Sequence, residues 1–280
     1  MLTRRQFLGG SAAMLLGASG LGTYARFFEP HWVEVVERPL PVKDLPSALD
    51  GAKLVHLADL HVGPYVSDDY ILSVFERVSG LSPDIVVFTG DLTAYHPGVI
   101  QQAVAVYQHT PHGRLATIAT LGNHDYGRDW SDDDHADKVA DAIESQGVRV
   151  LRNQIEEVEG LSIVGLDDLW AGRFKPAETF RKLKKGSPAI ALSHNPDSAD
   201  WSDWSGFSGW ILAGHTHGGQ VKPPFFDPPR LPVHNRRYSA GEIALTGDRR
   251  MYINRGIGHL RNQVRFNARP EITLFTLRPT

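Results

Sequence analysis

The chain has 280 residues, with 29 Lys and Arg against 32 Asp and Glu, so its formal net charge is -3. This length allows one or two domains. No Pro/Gly/Ser-rich or highly charged stretch divides the chain after its N-terminus, so we expect one domain over 29–280. The charge balance gives no reason to expect nucleic acid as a partner. The absence of cysteine excludes disulfides, thiolate catalysis and cysteine-ligated metal sites, which leaves His, Asp, Glu or Asn to hold any metal.

Residues 1–28 resemble a twin-arginine export signal. Arg4-Arg5 precede Phe7-Leu8 and an uncharged run rich in Gly and Ala. We therefore predict export by the twin-arginine machinery, which carries folded proteins, and a periplasmic or cell-envelope location. Ala18-Ser19-Gly20 offers a weak cleavage point. The alternative is that the segment stays uncleaved as an anchor and associates with the membrane, although it is poor in strongly apolar residues.

Strands and helices alternate in the first half of the chain. The Pro-punctuated segment 33–46 is interpreted as a lead-in before the first strong strand. Short apolar runs predict strands at 53–58, 85–88 and 115–121. Apolar residues at helical spacing predict helices at 67–80, 97–107 and 131–147. The last helix is predicted to begin near Ser131, which lies three residues before Asp134 as in a capping box.

The second half of the chain is rich in β segments. Residues 155–158 and 161–164 predict a hairpin, with Glu159-Gly160 as its turn. Further strands are predicted at 189–192, 210–213, 251–254 and 272–277. Strand–helix alternation followed by a β-rich half predicts an α/β sandwich with mixed sheets.

Side chains that bind metals follow five of the predicted strands. They are found in Asp59-Leu60-His61, Gly90-Asp91, Gly122-Asn123-His124-Asp125, His194 and Gly214-His215-Thr216-His217. One such segment alone is more often a cap or a tight turn than a ligand. Five in series, each at a strand end, favour a common site at one rim of a sheet. Imidazole and carboxylate suit Zn, Mn or Fe, and one carboxylate can bridge two ions.

This series of motifs resembles the calcineurin-like metallophosphoesterase superfamily. A narrower resemblance, to the bacterial YaeI/YkuE-type phosphodiesterases, adds the twin-arginine start and several further segments. These segments are Glu29-Pro30-His31-Trp32, Asp168 to Gly172, His194 to Ser198, Gly214 to Gln220 and Asn267 to Glu271. The likeness covers nearly the whole chain. It implies the metallophosphoesterase fold, a four-layer αββα sandwich of two mixed β-sheets flanked by helices.

The resemblance also implies a centre of two divalent or trivalent metal ions, such as Mn, Fe, Zn or Co. The implied ligands are Asp59, His61 and His217 for one ion, Asn123, His194 and His215 for the other, and Asp91 as the bridge. His124 would lie beside the phosphate, where it could stabilise charge or protonate the leaving oxygen, and Asp125 would orient it. A metal-bound hydroxide would then attack phosphorus in line.

Several functions stay open within this expectation. Phosphodiester hydrolysis leads, and the enzymatic alternatives are a UDP-2,3-diacylglucosamine-type pyrophosphate hydrolase and a phosphomonoesterase or nucleotidase. The expected substrate is a small phosphate ester or a lipid-linked phosphate, because the apolar segment 223–229 could contact lipid. A non-catalytic metal-dependent binding protein of the envelope is the alternative from another class. Arg236-Arg237 and the segment 255–261 offer phosphate contacts, with the Arg255 segment the better candidate.

Overall fold

A computed structural model describes residues 4–280. Residues 1–3, and the side chains of residues 4–5, 7–13 and 15, lie outside the described residues, and with them the paired arginines of the predicted export signal. Helix α1 spans Arg4–Thr23, and short turns at Tyr24–Phe28 and Glu29–His31 follow it. Within residues 4–280, no helix combines the length and the apolar character needed to cross a membrane.

The first sheet has the strand order β1-β12-β2-β3-β4-β5. Its strands are β1 Glu34–Val42, β2 Lys53–Leu57, β3 Ile85–Thr89, β4 Ala116–Thr120, β5 Arg149–Val150 and β12 Glu271–Pro279. Strands β2 to β5 run parallel, while β12 is antiparallel to β2 and parallel to β1. The sheet is therefore mixed, and the carboxyl ends of β2, β3 and β4 share one edge.

The second sheet has the order β10-β11-β9-β8-β7-β6. Its strands are β6 Gln154–Val158, β7 Leu161–Gly165, β8 Ala189–Leu192, β9 Gly209–Ala213, β10 Gly241–Ala244 and β11 Arg249–Ile253. Strands β7, β8, β9 and β11 are parallel, and the antiparallel β6 and β10 form its two edges. The predicted hairpin at 155–164 is the pair β6–β7.

The interpretation of residues 33–46 as a lead-in was wrong, because β1 is a full edge strand. The N–H of Glu34 donates to the Pro270 carbonyl on the β12 side, so even-numbered residues of β1 face β12. Pro39 and Pro41 are odd-numbered, and their missing N–H groups therefore lie on the open side of the sheet. Proline is tolerated there because an edge strand has no further partner to lose.

Three helices cover the outer face of the first sheet: α2 Asp68–Gly80, α3 Val99–Tyr107 and α4 Asp133–Glu144. The predicted start of α4 near Ser131 was displaced, because the Asp132 carboxylate accepts the N–H of His135 at 2.9 Å and caps the helix instead. The helix predicted at 97–107 is α3, whose first residue, Val99, lies two residues after Pro97.

Three apolar clusters separate four layers, which confirms the predicted αββα sandwich. One lies between the helices and the first sheet, and a second, which includes Leu54, Val87 and Leu212, lies between the two sheets. The third lies on the outer face of the second sheet, where helix α5 (Pro176–Phe180) and neighbouring turns pack Trp204 and Phe207 onto it. This outer layer is mostly turns and aromatic side chains.

Candidate metal centre

The two sheets present their parallel strand ends at one rim of the sandwich. Strands β2, β3 and β4 are followed by Asp59 and His61, by Asp91 and by Asn123, whereas β8 and β9 are followed by His194 and by His215 and His217. All seven side chains are buried. The series predicted from strand ends is therefore brought together in space.

Two groups of potential metal ligands are present among the described residues. They are Asp59, His61 and His217, and Asp91, His194 and His215, and within each group one ligand atom per residue lies within 4.8 Å of the others. His61 Nε2 and His217 Nε2 are 3.1 Å apart, and His194 Nε2 and His215 Nδ1 are also 3.1 Å apart. Each group could therefore hold one ion.

Asp91 lies between the two groups. Its Oδ2 is 3.6 Å from His61 Nε2 in the first group and 3.3 Å from His194 Nε2 in the second. Its Oδ1 accepts the backbone N–H of His124 at 2.9 Å, which fixes the carboxylate. One oxygen that faces both groups is the arrangement that a bridging carboxylate requires.

Hydrogen bonds to backbone carbonyls fix which ring nitrogen of His194 and of His215 faces the other ligands. His194 Nδ1 donates to the Thr89 carbonyl at 2.8 Å, and His215 Nε2 donates to the Pro232 carbonyl at 2.9 Å. A carbonyl only accepts, so these nitrogens carry a proton, and the opposite nitrogens face the group and can offer it a lone pair once they are unprotonated. This is the usual support for imidazoles that bind metals.

Asn123 provides the test of whether the residues fit metal ions. Both its Oδ1 and its Nδ2 are buried and, within the part of the chain that the structure describes, have no hydrogen-bond partner. A buried amide left unpaired costs about 1–3 kcal/mol, and an ion beside its oxygen would remove part of that cost. The orphaned amide and the nitrogen and oxygen donors therefore fit the implied ions.

The backbone at this rim is unusual. Five of the candidate ligands have a left-handed backbone: Asp59 (φ 54), His61 (φ 52), Asp91 (φ 50), His215 (φ 70) and His217 (φ 50). Non-glycine residues adopt this region at a cost of roughly 1–2 kcal/mol each. Such strain persists only where the surrounding structure imposes it, and it concentrates at functional sites.

Burial and mutual charge set the protonation of the metal-free centre. Burial lowers the pKa of both His61 and His215 to about 3. Burial alone would also lower the pKa of His194, but the Asp91 carboxylate outweighs it and raises that pKa to about 10. Burial raises the pKa of Asp59 to about 7. Without ions, the centre thus contains a His194–Asp91 ion pair among neutral imidazoles.

His124 and Asp125 do not form the predicted contact. His124 is half-buried in the wall of the cleft over the centre, with its ring 5.2 Å from that of His61. The Asp125 carboxylate instead accepts from the N–H groups of Leu92, Thr93 and Gly122 and from the Thr93 hydroxyl, which are its hydrogen bonds within residues 4–280. Asp125 therefore ties two site loops together, and its expected role of orienting His124 is not supported.

A cleft of about 1110 Å³ opens above the centre. Aromatic and cationic side chains line much of it, and they include Tyr65, Tyr95, Trp130, Trp170, Arg128, Arg230 and Arg261. The Trp130 and Trp170 rings stack at 5.2 Å, and Trp170 meets His215 edge-on at 4.4 Å. Sequence reasoning missed Arg128, Arg230 and the stacked tryptophans, because nothing in their local pattern indicates a shared wall.

Of the arginines that the sequence offered as phosphate contacts, one lines the cleft and two bond to other parts of the chain. Arg261 lines the cleft, as the prediction for its segment allowed. Arg255 instead forms ion pairs with Glu271 at 2.6 Å and Glu34 at 2.8 Å, and Arg236 donates to the Pro228 carbonyl. Within the favoured 255–261 segment it is therefore Arg261 that can contact a phosphate, because the Arg255 guanidinium is already committed to its two carboxylates.

Arg265 is a further residue of the site that could not be predicted from the sequence. It is fully buried, and its guanidinium donates to the carbonyls of Arg255, Gly256, Gly258 and Ala268. Its Nη2 lies 3.5 Å from His217 Nδ1. It holds the 255–258 loop against the first group, where a Cβ on Gly256 would lie 2.8 Å from that of Asp59. No local sequence signal marks an arginine for such burial.

Comparisons with known proteins agree with this geometry. A model of the Calcineurin-like phosphoesterase family matches residues 52–219, a range that contains both groups of ligands. The chain is 34% identical to the metallophosphoesterase YkuE of Bacillus subtilis over 100% of this chain and 99% of that protein. It is 32% identical to the phosphodiesterase YaeI of Escherichia coli, over 99% and 100% of the two chains. It is 27% identical to the UDP-2,3-diacylglucosamine pyrophosphatase LpxG of Chlamydia trachomatis, over 90% and 91%.

Proposed function

Since the chain belongs to the calcineurin-like phosphoesterase family, we propose that it hydrolyses phosphodiesters at a centre of two metal ions. Membership of this family makes the protein a metal-dependent phosphoric ester hydrolase. The preference for diesters is supported by its likeness to a relative named as a phosphodiesterase. The observation that carries the two-ion proposal is the Asp91 carboxylate, whose Oδ2 faces both groups of ligands.

The proposed ligands follow the two groups, with one addition. They are Asp59, His61 and His217 for one ion, Asn123, His194 and His215 for the other, and Asp91 for both. When bound, a pair of ions lowers the pKa of a water molecule and offsets the charge of the phosphate. The donor set suits Mn, Fe, Zn or Co, which we propose as the candidates.

We propose that His124 acts on the substrate directly. Its imidazole lines the cleft next to His61, and its backbone N–H is fixed by Asp91. An imidazole held there can donate a proton to the leaving oxygen or stabilise developing charge. The stacked Trp130 and Trp170 form an apolar part of the cleft wall and can contact an apolar or aromatic leaving group.

Pyrophosphate hydrolysis is the second candidate. It is supported by the relative named as a UDP-2,3-diacylglucosamine pyrophosphatase and by a cleft of about 1110 Å³, larger than one aryl phosphate needs. Arg230 and Arg261 in the cleft wall could contact a second phosphate. Rates on bis-aryl phosphate, aryl phosphate and UDP-linked substrates, measured side by side with each metal, separate the two candidates. A strong preference for the monoester would contradict both.

The decisive variant is His124→Ala. We expect its kcat on a bis-aryl phosphate to fall roughly 10²- to 10⁴-fold, as for loss of a general acid, while its metal content stays unchanged. His109→Ala removes an exposed histidine outside the cleft and is the matched control. Full turnover by a His124→Ala protein that still contains its metals would exclude the proposed role.

We also propose that residues 1–28 direct twin-arginine export and that 29–280 act as a single domain in the periplasm or cell envelope. The paired Arg4-Arg5 in front of Phe7-Leu8 support this proposal. Replacing both arginines with lysine is expected to leave the protein in the cytoplasm, as measured by cell fractionation. Unchanged export of that variant would contradict the twin-arginine route.

A further inference from the structure

The loop at Pro223–Pro229 presents two phenylalanines to solvent. Phe225 is 103% exposed and Phe226 is 70% exposed. Pro223-Pro224 and Pro228-Pro229 stiffen the loop on both sides. Phe225 also has a left-handed backbone (φ 68), which is costly for a bulky residue. The two exposed rings gain little from packing within the chain, so a stiff, strained loop holds them where they can meet something outside it.

A second exposed aromatic pair lies on a segment that borders the same groove as this loop, although it is about 200 residues away in sequence. Phe27 and Phe28 are each 62% exposed. Tyr24, in the same turn, and Pro224 both line a smaller groove of about 460 Å³. The segments that carry the two phenylalanine pairs therefore border one groove. We call Phe27, Phe28, Phe225 and Phe226 the aromatic face.

The aromatic face is fixed next to the mouth of the catalytic cleft. Arg26 Nη1 donates to Gln263 Oε1 at 2.6 Å, and the N–H of Arg265 donates to the Ala25 carbonyl at 2.9 Å, while the intervening Val264 lines the cleft. The other pair is attached in the same way, because the phenylalanine loop continues into Pro229 and Arg230 of the cleft wall. A surface that binds the aromatic face would therefore lie beside the cleft entrance.

Positive charge surrounds the aromatic face. The cationic residues of the segments that carry or border it are Arg26, Lys222, Arg230, Arg261 and Arg269. The acidic residues of these segments are fewer: Asp227 is exposed, whereas Glu29 is buried and accepts the N–H of Ala268, and Glu34 is paired with Arg255. Exposed aromatic rings among arginine and lysine are typical of surfaces that insert into the headgroup region of anionic membranes.

We propose that the aromatic face docks on an anionic lipid bilayer, with Phe225 and Phe226 inserted among the headgroups and the cleft entrance held at the membrane surface. Docking itself requires no catalysis. Its consequence, that phosphodiesters carried by lipids are favoured substrates, rests on the proposed function. The aromatic face then determines substrate preference, because it concentrates the enzyme at the membrane, where lipid-carried phosphodiesters lie.

The test compares vesicle binding of the full chain and of Phe225→Ser/Phe226→Ser. Vesicles of phosphatidylcholine with phosphatidylglycerol, and of phosphatidylcholine alone, are the probes in a flotation assay. We expect the unmodified chain to bind the anionic vesicles, less strongly at high salt, and the double variant to need at least about tenfold more lipid. Phe225→Trp/Phe226→Trp should restore binding, since tryptophan also suits the interface. Trp201→Ser removes an exposed aromatic residue from the outer layer of the second sheet and should change nothing.

Equal binding by the unmodified chain and the serine variant, or no binding to anionic vesicles, would overturn the proposal. Because helix α1 is the same in both proteins, binding through α1 alone would appear as such equality. Turnover of a soluble bis-aryl phosphate, expected to be unchanged in the serine variant, checks that the variant is folded. Absence of that turnover in every protein would refute the proposed function, while the vesicle result would still decide the docking.

Discussion

Replacing Asn123 by leucine should change stability in opposite directions with and without metal. The buried amide has no partner among the described residues, and such a group costs about 1–3 kcal/mol. Leucine has a similar branched shape without the polar atoms, so the metal-free variant should be more stable by about that amount. In excess metal the variant lacks a ligand of the second ion. A site filled at 100 times its Kd contributes about 2.7 kcal/mol to the unmodified protein, and the variant should lose most of this.

The assay is thermal unfolding of chelator-treated protein at increasing Mn²⁺. The Asn123→Leu midpoint should lie a few degrees above that of the unmodified protein without metal and below it at saturation, since 1 kcal/mol corresponds to roughly 2–4 °C in a chain of this size. Thr120→Val is the control, because it removes a buried hydroxyl at the end of β4 that also has no partner within residues 4–280, without touching a proposed ligand. Its response to metal should be that of the unmodified protein. Curves that never cross, or two ions retained by Asn123→Leu, would refute the reasoning.

Three further predictions concern the residues that support the ligands and the proton that His194 carries. Gly90→Ala introduces a Cβ only 2.7 Å from the His194 ring at φ +77. We therefore expect metal analysis of this variant to give fewer than two ions per chain. The control is Gly98→Ala, at φ +88 with open space around it, which should lose only about 1–2 kcal/mol of stability and no metal. Arg265→Met removes four hydrogen bonds to carbonyls beside His217. It should lower the free energy of unfolding by about 3–5 kcal/mol and weaken metal binding. An unchanged Kd for metal would show that Arg265 does not support the centre. Finally, because Asp91 raises the pKa of His194 to about 10 in the metal-free protein, metal binding at pH 8 should release about one proton, as measured by calorimetry in buffers of different ionisation enthalpy. The proton released from His194 should fall as the pH rises through about 10, where half of the His194 side chains are already neutral.

The ligands could be predicted because their signals are local. Each follows a short buried strand, and parallel strands bring their carboxyl ends to one edge, so Asp59, Asp91 and His194 could be placed without knowing the loops. Strand β1 was missed for the opposite reason. Whether Pro39 and Pro41 are tolerated depends on β1 lying at the sheet edge, which is decided by its pairing with a strand more than 200 residues away.

The role of Asp125 shows that neighbours in sequence need not interact. Its carboxylate is held by N–H groups of the loop after β3 and by Gly122, so it is not available to His124. Arg265 was missed for a related reason, because its burial depends on carbonyls gathered from a separate loop. Such contacts are set by tertiary packing, on which local residue patterns carry no information.

Each group of ligands takes members from both sheets: Asp59 and His61 of the first group follow β2, whereas His217 follows β9. An ion in either group would therefore be a cross-link between the two halves of the sandwich, at the rim where the loops of both sheets meet. Chelation should then loosen the layer between the sheets as well as stop hydrolysis, and amide hydrogen exchange in β2 and β9 would accelerate together. Metal loading would then tighten the packing between the two sheets as well as complete the site.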